Sequence, residues 1–178
     1  LLNFDKDTIK NILSESKSST GGKILKQDFT VLKMLAQELL IMNKTKGKLT
    51  KYVNSMMVKT APNLSTLVGS NIGARLIAQA GSLDRLAKLS SSGIQILGAE
   101  KALFRSMKTG SRPPKHGILF QHKYVHSAPK RLRGKIARTF SSKIAIAVRI
   151  DYFKGKFDKV LIAKLNDKIL QLLAKNNL

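Results

Sequence analysis

A chain of 178 residues that sets 33 Lys or Arg against 10 Asp or Glu has a formal net charge of +23, while 43% of its residues are hydrophobic. That apolar fraction supports a packed core and excludes a disordered basic tail, and the lack of cysteine removes disulfides, thiolate nucleophiles and Cys-ligated zinc. A surface so one-sided repels itself unless counter-charge is at hand, which points to a polyanion: nucleic acid first, an anionic membrane second.

In chain order, Leu1 to Leu13 is weakly helical, with Leu2, Ile9 and Ile12 able to share a face. Ser14 to Gly22 is expected to be a flexible connector in which two helices reverse direction. The opening Leu1-Leu2, without Met, leads to the expectation of a fragment or processed product. From Gln27 to Lys59 the positions Leu32, Leu35, Leu39, Met42, Lys46, Leu49, Val53 and Met56 recur at steps of three and four. They form a heptad interrupted at Lys46. An amphipathic helix packing on its own domain would show the same spacing, but about thirty residues make a rod of ~45 Å, longer than a small domain needs. The expected partner is an antiparallel helix entering before Ser14, most of which is missing. The lack of cysteine fits an intracellular protein; no apolar run approaches the ~18 residues of a bilayer span and no signal-peptide pattern opens the chain.

Ala61-Pro62-Asn63 breaks the rod, because Pro62 lacks a backbone donor and disfavours helix at Ala61. Asn63 to Ala80 reads as one helix whose Gly69, Gly73, Ala74 and Ala78 allow close backbone approach, with Gly81 as its stop. Leu83 to Leu89 is a short helix, Ser90 to Gly93 a loop, and Ile94 to Leu97 a buried strand or extended segment. A helix follows from Ala99 to Met107, and then a Pro/Gly loop, Thr109 to Gly117, offers Arg112, Lys115 and His116. Lys130 to Asp151 is a long helix with Leu132, Ile136, Phe140, Ile144 and Val148 on one face and Arg131, Lys135, Arg138 and Ser142 on another. Phe157 to Leu173 closes the chain as a packing helix carrying Phe157, Leu161, Leu165, Ile169 and Leu172 on one face.

No constellation for catalysis is present. His116, His122 and His126 lie close in sequence, but no carboxylate stands near, and the adjoining Ser127-Ala128-Pro129 argues against the helix that would align the last two as metal ligands. No cofactor is expected. Charge is concentrated instead: Lys101 to Lys156 holds fifteen Lys or Arg and one acidic residue, Asp151, a local balance of +14. Cations on phosphates release counterions, so affinity for nucleic acid should fall steeply with salt. The region has few aromatics, so a stacking platform for single strands is not indicated. A folded, backbone-rich RNA surface fits better, met by helix starts, loops and polar side chains such as Gln121.

These residues assemble into motifs that resemble the Nop domain of archaeal and nucleolar box C/D ribonucleoprotein scaffolds, which a spliceosomal relative shares. They are Ala61-Pro62-Asn63-Leu64 with Val68-Gly69; Gly73-Ala74-Arg75-Leu76-Ile77-Ala78; Ala80-Gly81-Ser82-Leu83 with Leu86-Ala87-Lys88; Ile94 through Arg105; Pro114-Lys115-His116-Gly117; and Arg133 through Arg138 with Ala147 through Asp151. The match runs from about Ala61 to Phe153, in order and without large gaps.

The resemblance implies an all-α protein in which a long coiled-coil helix is followed by a helical Nop domain. We therefore expect a coiled-coil portion over 1–60 with its first helix truncated, an RNA- and protein-binding Nop domain over 61–155, and a C-terminal packing helix over 156–178. The family pairs two scaffold copies through the coiled coil and holds the methyltransferase fibrillarin through an N-terminal domain that this chain lacks. Its Nop domain grips a kink-turn RNA together with a small kink-turn-binding protein related to a ribosomal protein. Carried over, Gly98, Ala99, Glu100 and Lys101 with Leu103, Phe104 and Arg105 form the RNA-proximal helix start, and Leu103 and Phe104 face either RNA and partner or the core. Glu100 and the Ala-Leu-Phe-Arg string favour the box C/D branch, and Gln121 sits where some relatives carry a histidine facing RNA. The Pro113-Pro114-Lys115-His116 form looks more archaeal than nucleolar. Phosphate contacts are expected from Lys101, Arg105, Arg112, Lys115, Arg131, Arg133, Lys135 and Arg138.

The implied function is a non-enzymatic scaffold that positions box C/D guide RNA for ribose 2′-O-methylation, cytoplasmic if archaeal and nucleolar if eukaryotic. A spliceosomal Nop scaffold is the alternative. A basic membrane-surface protein is more distant, since the basic helix has only small apolar anchors and the chain has no Trp.

Overall fold

The computed structural model describes residues 5–18, 21–22 and 24–174, without the side chains of 161, 162, 165, 166, 169, 170, 172 and 173. Every regular element among the described residues is helical, as expected for an all-α chain. Contacts divide the chain into two units, 1–51 and 52–178.

The first unit holds α1 (Lys6–Lys17) and the opening of α2 (Lys26–Thr60). The connector expected from Ser14 onward is shorter than the sequence suggests, because α1 continues through Ser14 and Ser16 to Lys17. Each serine hydroxyl donates to a carbonyl one turn back, Ser14 to Asn11 at 2.8 Å and Ser16 to Leu13 at 2.9 Å, so the side chains turn inward on the helix without breaking it. Leu2 lies outside the described residues. In α2 the heptad positions Leu32, Leu35, Leu39, Met42 and Leu49 are all exposed, and α1 buries none of its residues. The antiparallel pairing expected of α1 is therefore not made among the described residues.

In the second unit, residues 52–60 of α2 lead into α3 (Pro62–Val68), α4 (Ser70–Ala80), α5 (Leu83–Lys88), α6 (Ser91–Ile96), α7 (Glu100–Thr109), a 3₁₀ turn (Ile118–Gln121), the one-turn α8 (Lys123–His126), α9 (Lys130–Phe153) and α10 (Lys159–Ala174). The central element is α9. Its stripe of Leu132, Ile136, Phe140, Ile144 and Val148 is buried as the spacing predicts, and α3, α5, α6, α8 and α10 pack around it. Each such side chain contributes roughly 1.5–3 kcal/mol by leaving water. Helix α10 lies against α9 and α3; Phe157, expected on its packing face, precedes the helix and is 47% exposed, while Leu161, Leu165, Ile169 and Leu172 fall outside the described side chains.

Two local expectations are corrected. Asn63 to Ala80 is not one helix: Gly69 adopts φ 81°, ends α3 and starts α4, so it turns the chain and packs against nothing. Gly73 does play the packing role, since a Cβ there would meet Met57 Cε at 2.9 Å and Leu64 Cγ at 3.3 Å. Ile94 to Leu97 is neither strand nor extended, for Ile94 and Ile96 belong to α6. The supposed loop before it is the helix start, where the Ser90 hydroxyl accepts from the Gly93 N–H at 3.1 Å, a cap that outweighs the β preference of the isoleucines.

Candidate nucleic-acid interface

The basic residues separate into three settings. The first is a groove between the loop 110–117 and the N-terminal half of α9. Steps of four and three put Arg131, Lys135 and Arg138 on the exposed face of α9, the side opposite its buried stripe. Across from them the loop brings Arg112, Pro113, Pro114 and Lys115, and Gln95 joins them in lining a cavity of about 430 Å³. No carboxylate lines it.

The loop wall is fixed to α6 at three points. Gln95 Nε2 donates to the Lys115 carbonyl at 2.8 Å, Gly117 N–H to the Gln95 carbonyl at 3.0 Å, and Ile118 N–H to the Leu97 carbonyl at 2.8 Å. Gly117 permits this approach, because a Cβ there would fall on the Leu97 carbonyl. On the opposite wall Gly134 leaves room for the Lys115 stem, whose Cβ and Cδ lie at 3.5 Å from where a Gly134 Cβ would stand. Lysine thus lays its methylenes on the helix and keeps its ammonium for the groove.

The second setting lies behind the loop. Arg133, expected to meet phosphate, turns inward: its Nε donates to the Ala128 carbonyl at 2.8 Å, its Nη2 to the His126 carbonyl at 3.1 Å, and its guanidinium sits 5.3 Å from the Phe120 ring centroid. A count of charges cannot tell this arginine from its neighbours. Its task is to tie the α8–α9 turn, which would otherwise leave carbonyls unpaired. His116 stacks on Phe120 at 4.7 Å, and burial, aided by the Arg133 and Lys115 charges, pushes its pKa below the usual value.

The aligned pair His122 and His126 does occur on a helical turn, contrary to expectation, because His122 caps α8 through Nδ1, which accepts from Tyr124 N–H at 3.4 Å. Its ring packs 4.3 Å from Phe140, and burial, with Lys123 nearby, lowers its pKa.

The third setting is the start of α7. Gly98 has φ 85°, and its N–H donates to Glu100 Oε1 at 2.7 Å. That bond is the largest cause of the lowered pKa of Glu100, and Gln79 Nε2 adds a 3.4 Å contact. Glu100 thus secures the glycine turn with a carboxylate at the positive end of its helix. Beyond it Lys101 and Arg105 are exposed, Ala99 and Leu103 half-buried, and Phe104 is 61% exposed, so Phe104 is not a core residue. Met107 is more open still, at 73%; it follows Leu103 and Phe104 at helical spacing, a signal that motif and charge do not carry. One turn along α4 from Gln79, Arg75 Nη1 donates to Gln121 Oε1 at 2.7 Å. Since a guanidinium only donates, the Gln121 amide presents its NH₂ outward. Arg75 was legible only as part of a motif.

Donors thus face outward at the groove and along α7, while Arg133 is spent on the fold, and the groove gathers five cations with no carboxylate. A cleft lined by one sign of charge concentrates counter-ions of the other. The comparisons agree with that chemistry. A family model described as Nop, snoRNA binding domain, fibrillarin, matches residues 2–171. The chain is 39% identical over 182 residues to an uncharacterized NOP5 family protein of Methanocaldococcus jannaschii, covering 97% of this chain and 44% of that protein. It is 43% identical over 173 residues to nucleolar protein 56 of Dictyostelium discoideum, covering 95% of this chain and 32% of that one. Among solved structures it superposes on a chain of a fibrillarin/Nop5p complex with a TM-score of 0.66 at 28% identity, over 93% of this chain and 61% of that chain. It spans less than two thirds of each of them. On a family match across nearly its whole length, the chain belongs to the Nop family.

Proposed function

We propose that this chain is the coiled-coil and Nop-domain portion of a box C/D ribonucleoprotein scaffold. It binds kink-turn RNA jointly with a kink-turn-binding protein and so positions guide RNA for ribose 2′-O-methylation by fibrillarin. The observation that carries the reading is the groove, in which Arg112, Lys115, Arg131, Lys135 and Arg138 converge without a carboxylate, in a chain of the Nop family. Five cations on two fixed walls suit successive backbone phosphates. The open flank of α7, with Lys101, Phe104, Arg105 and Met107, suits a composite surface of RNA and partner protein.

The scaffold performs no chemistry itself. Methyl transfer belongs to fibrillarin, and the exposed heptad of α2 supports pairing of two scaffold copies. The protein works in the nucleolus if eukaryotic, in keeping with its nucleolar relatives, and in the cytoplasm if archaeal.

The test is a gel-shift titration of a kink-turn RNA and a mismatched hairpin, with and without the kink-turn-binding protein, at two salt concentrations. Binding that requires the partner and discriminates against the hairpin is expected. Equal, salt-sensitive binding to both RNAs would reduce the chain to a generic basic surface.

A further inference from the structure

The charged groups of the groove, on Arg112, Lys115, Arg131, Lys135 and Arg138, can only donate hydrogen bonds. Gln95 is different. Its Nε2 donates to the Lys115 carbonyl at 2.8 Å, and because a carbonyl can only accept, the orientation of the amide is dictated: the nitrogen faces the loop and Oε1 faces away from it. No hydrogen bond to Oε1 is made among the described residues. The backbone of Gln95 is held as well, by the Gly117 N–H at 3.0 Å, so this acceptor has a fixed place at the edge of a field of donors.

A nucleic-acid backbone meets the cations with its phosphates. RNA brings one further group that DNA lacks, a hydroxyl at the 2′ position that can donate. We infer that Gln95 is the sugar-reading residue of the groove: the cations hold phosphates while Gln95 Oε1 accepts from a ribose 2′-hydroxyl, so that the groove prefers RNA to DNA. The inference rests on the RNA-binding reading above. No aromatic side chain lines the groove, so stacking on bases does not provide an alternative source of preference there. Against deoxyribose the Gln95 oxygen finds no donor in place of the water it gives up, which sets the preference on the order of five-fold per engaged ribose.

The experiment uses fluorescence anisotropy with the full chain and a labelled single-stranded oligouridylate in three backbones: ribose, deoxyribose and 2′-fluororibose. The fluorine keeps ribose-like pucker and size but removes the donor. Expected is tighter binding of the ribose form, with the fluoro and deoxy forms equally weaker by about five-fold. If the fluoro form binds as tightly as ribose, sugar shape is being read and the inference is overturned. Equal, salt-sensitive binding of all three overturns it too, while leaving the RNA-binding reading intact. Absence of salt-sensitive binding to any of them overturns the inference, and the gel-shift titration with the kink-turn-binding protein then decides the RNA-binding reading.

Gln95→Lys keeps a donor for the Lys115 carbonyl and removes the acceptor, so the ribose-to-deoxyribose affinity ratio should fall to unity whatever the added charge does to absolute affinity. A retained ratio would sink the assignment. If that variant does not fold, the fluoro comparison on the native chain decides alone.

Discussion

Asp151, at the C-terminal end of α9, accepts hydrogen bonds from both nitrogens of Asn63, the backbone N–H at 3.1 Å and Nδ2 at 2.7 Å, and its second oxygen accepts from Leu64 N–H at 2.9 Å. A buried carboxylate thereby supplies the cap that the start of α3 lacks on its own side chains. Asn63 extends the junction, donating to the Lys156 carbonyl at 2.7 Å and accepting from Asp158 N–H at 2.7 Å. Asp151→Ala strands these donors and should lower unfolding free energy by about 2–4 kcal/mol, as read by urea denaturation. Asn63→Ala should cost about 1–3 kcal/mol. An Asp151→Ala midpoint equal to that of the parent would mean the network is not holding the fold.

Three glycines near the groove should respond with different signs. At Gly117 a Cβ falls on a carbonyl, and at Gly98 it meets Ile118 Cγ1 at 2.6 Å with φ already at 85°, so either alanine should destabilise by about 2 kcal/mol or more. At Gly134, inside α9, the added methyl meets the Lys115 stem at ordinary contact distance. Gly134→Ala should stabilise by about 0.5–1 kcal/mol and leave RNA affinity in place. Thermal unfolding of the three variants orders them.

Removing a cation that meets phosphate should weaken binding for every RNA sequence and reduce the slope of log affinity against log salt by about one. That outcome is expected for Arg131→Ala, Lys135→Ala and Arg138→Ala. Arg133→Ala should instead leave the slope alone and lower stability by roughly 1–3 kcal/mol, since its guanidinium satisfies two carbonyls. Salt titrations of the four variants separate the groups, and a slope change in Arg133→Ala would return that residue to the interface.

Acid should destabilise the fold in two windows. Burial holds His116 and His122 below their ordinary pKa of 6.5, so below that pH the unfolded chain takes up protons that the folded chain declines. Their contribution is complete above 6.5 and is lost as pH falls toward the folded values. Glu100 is held below its ordinary 4.5, chiefly by the Gly98 N–H, so what it adds is present above 4.5 and lost as pH falls further. Denaturation midpoints across this range should show both declines. His122→Asn, which keeps an acceptor for Tyr124 N–H without titrating, should shrink the upper one to the part that His116 contributes.

The sequence made α9 legible because its apolar and basic residues repeat cleanly at helical spacing, and with it three of the five groove cations. It made α6 illegible, because isoleucines favour strands and the serine cap is worth more than their preference only in a turn as short as this. It also hid the difference between Arg131 and Arg133. Two residues on a helix are turned by about 200°, which sends one guanidinium to the groove and the other to the carbonyls behind the loop. A usable signal was passed over at Asp151: an acid at the spacing of Ile144 and Val148 belongs to the buried stripe, and a buried carboxylate needs donors such as those that open α3. Gly69 is not legible as a turn, because spacing cannot report the sign of φ.

The loop wall of the groove contains two adjacent prolines and is fastened to α6 before any ligand arrives. Little of the energy released on contact is then consumed in arranging the receiving side chains' backbone, so encounter and capture are nearly one event. A receptor already in shape and working mainly through charge loads quickly and releases when ionic competition rises. On a surface of that kind the lifetime of the loaded state is set less by the groove than by whatever contacts are added after loading.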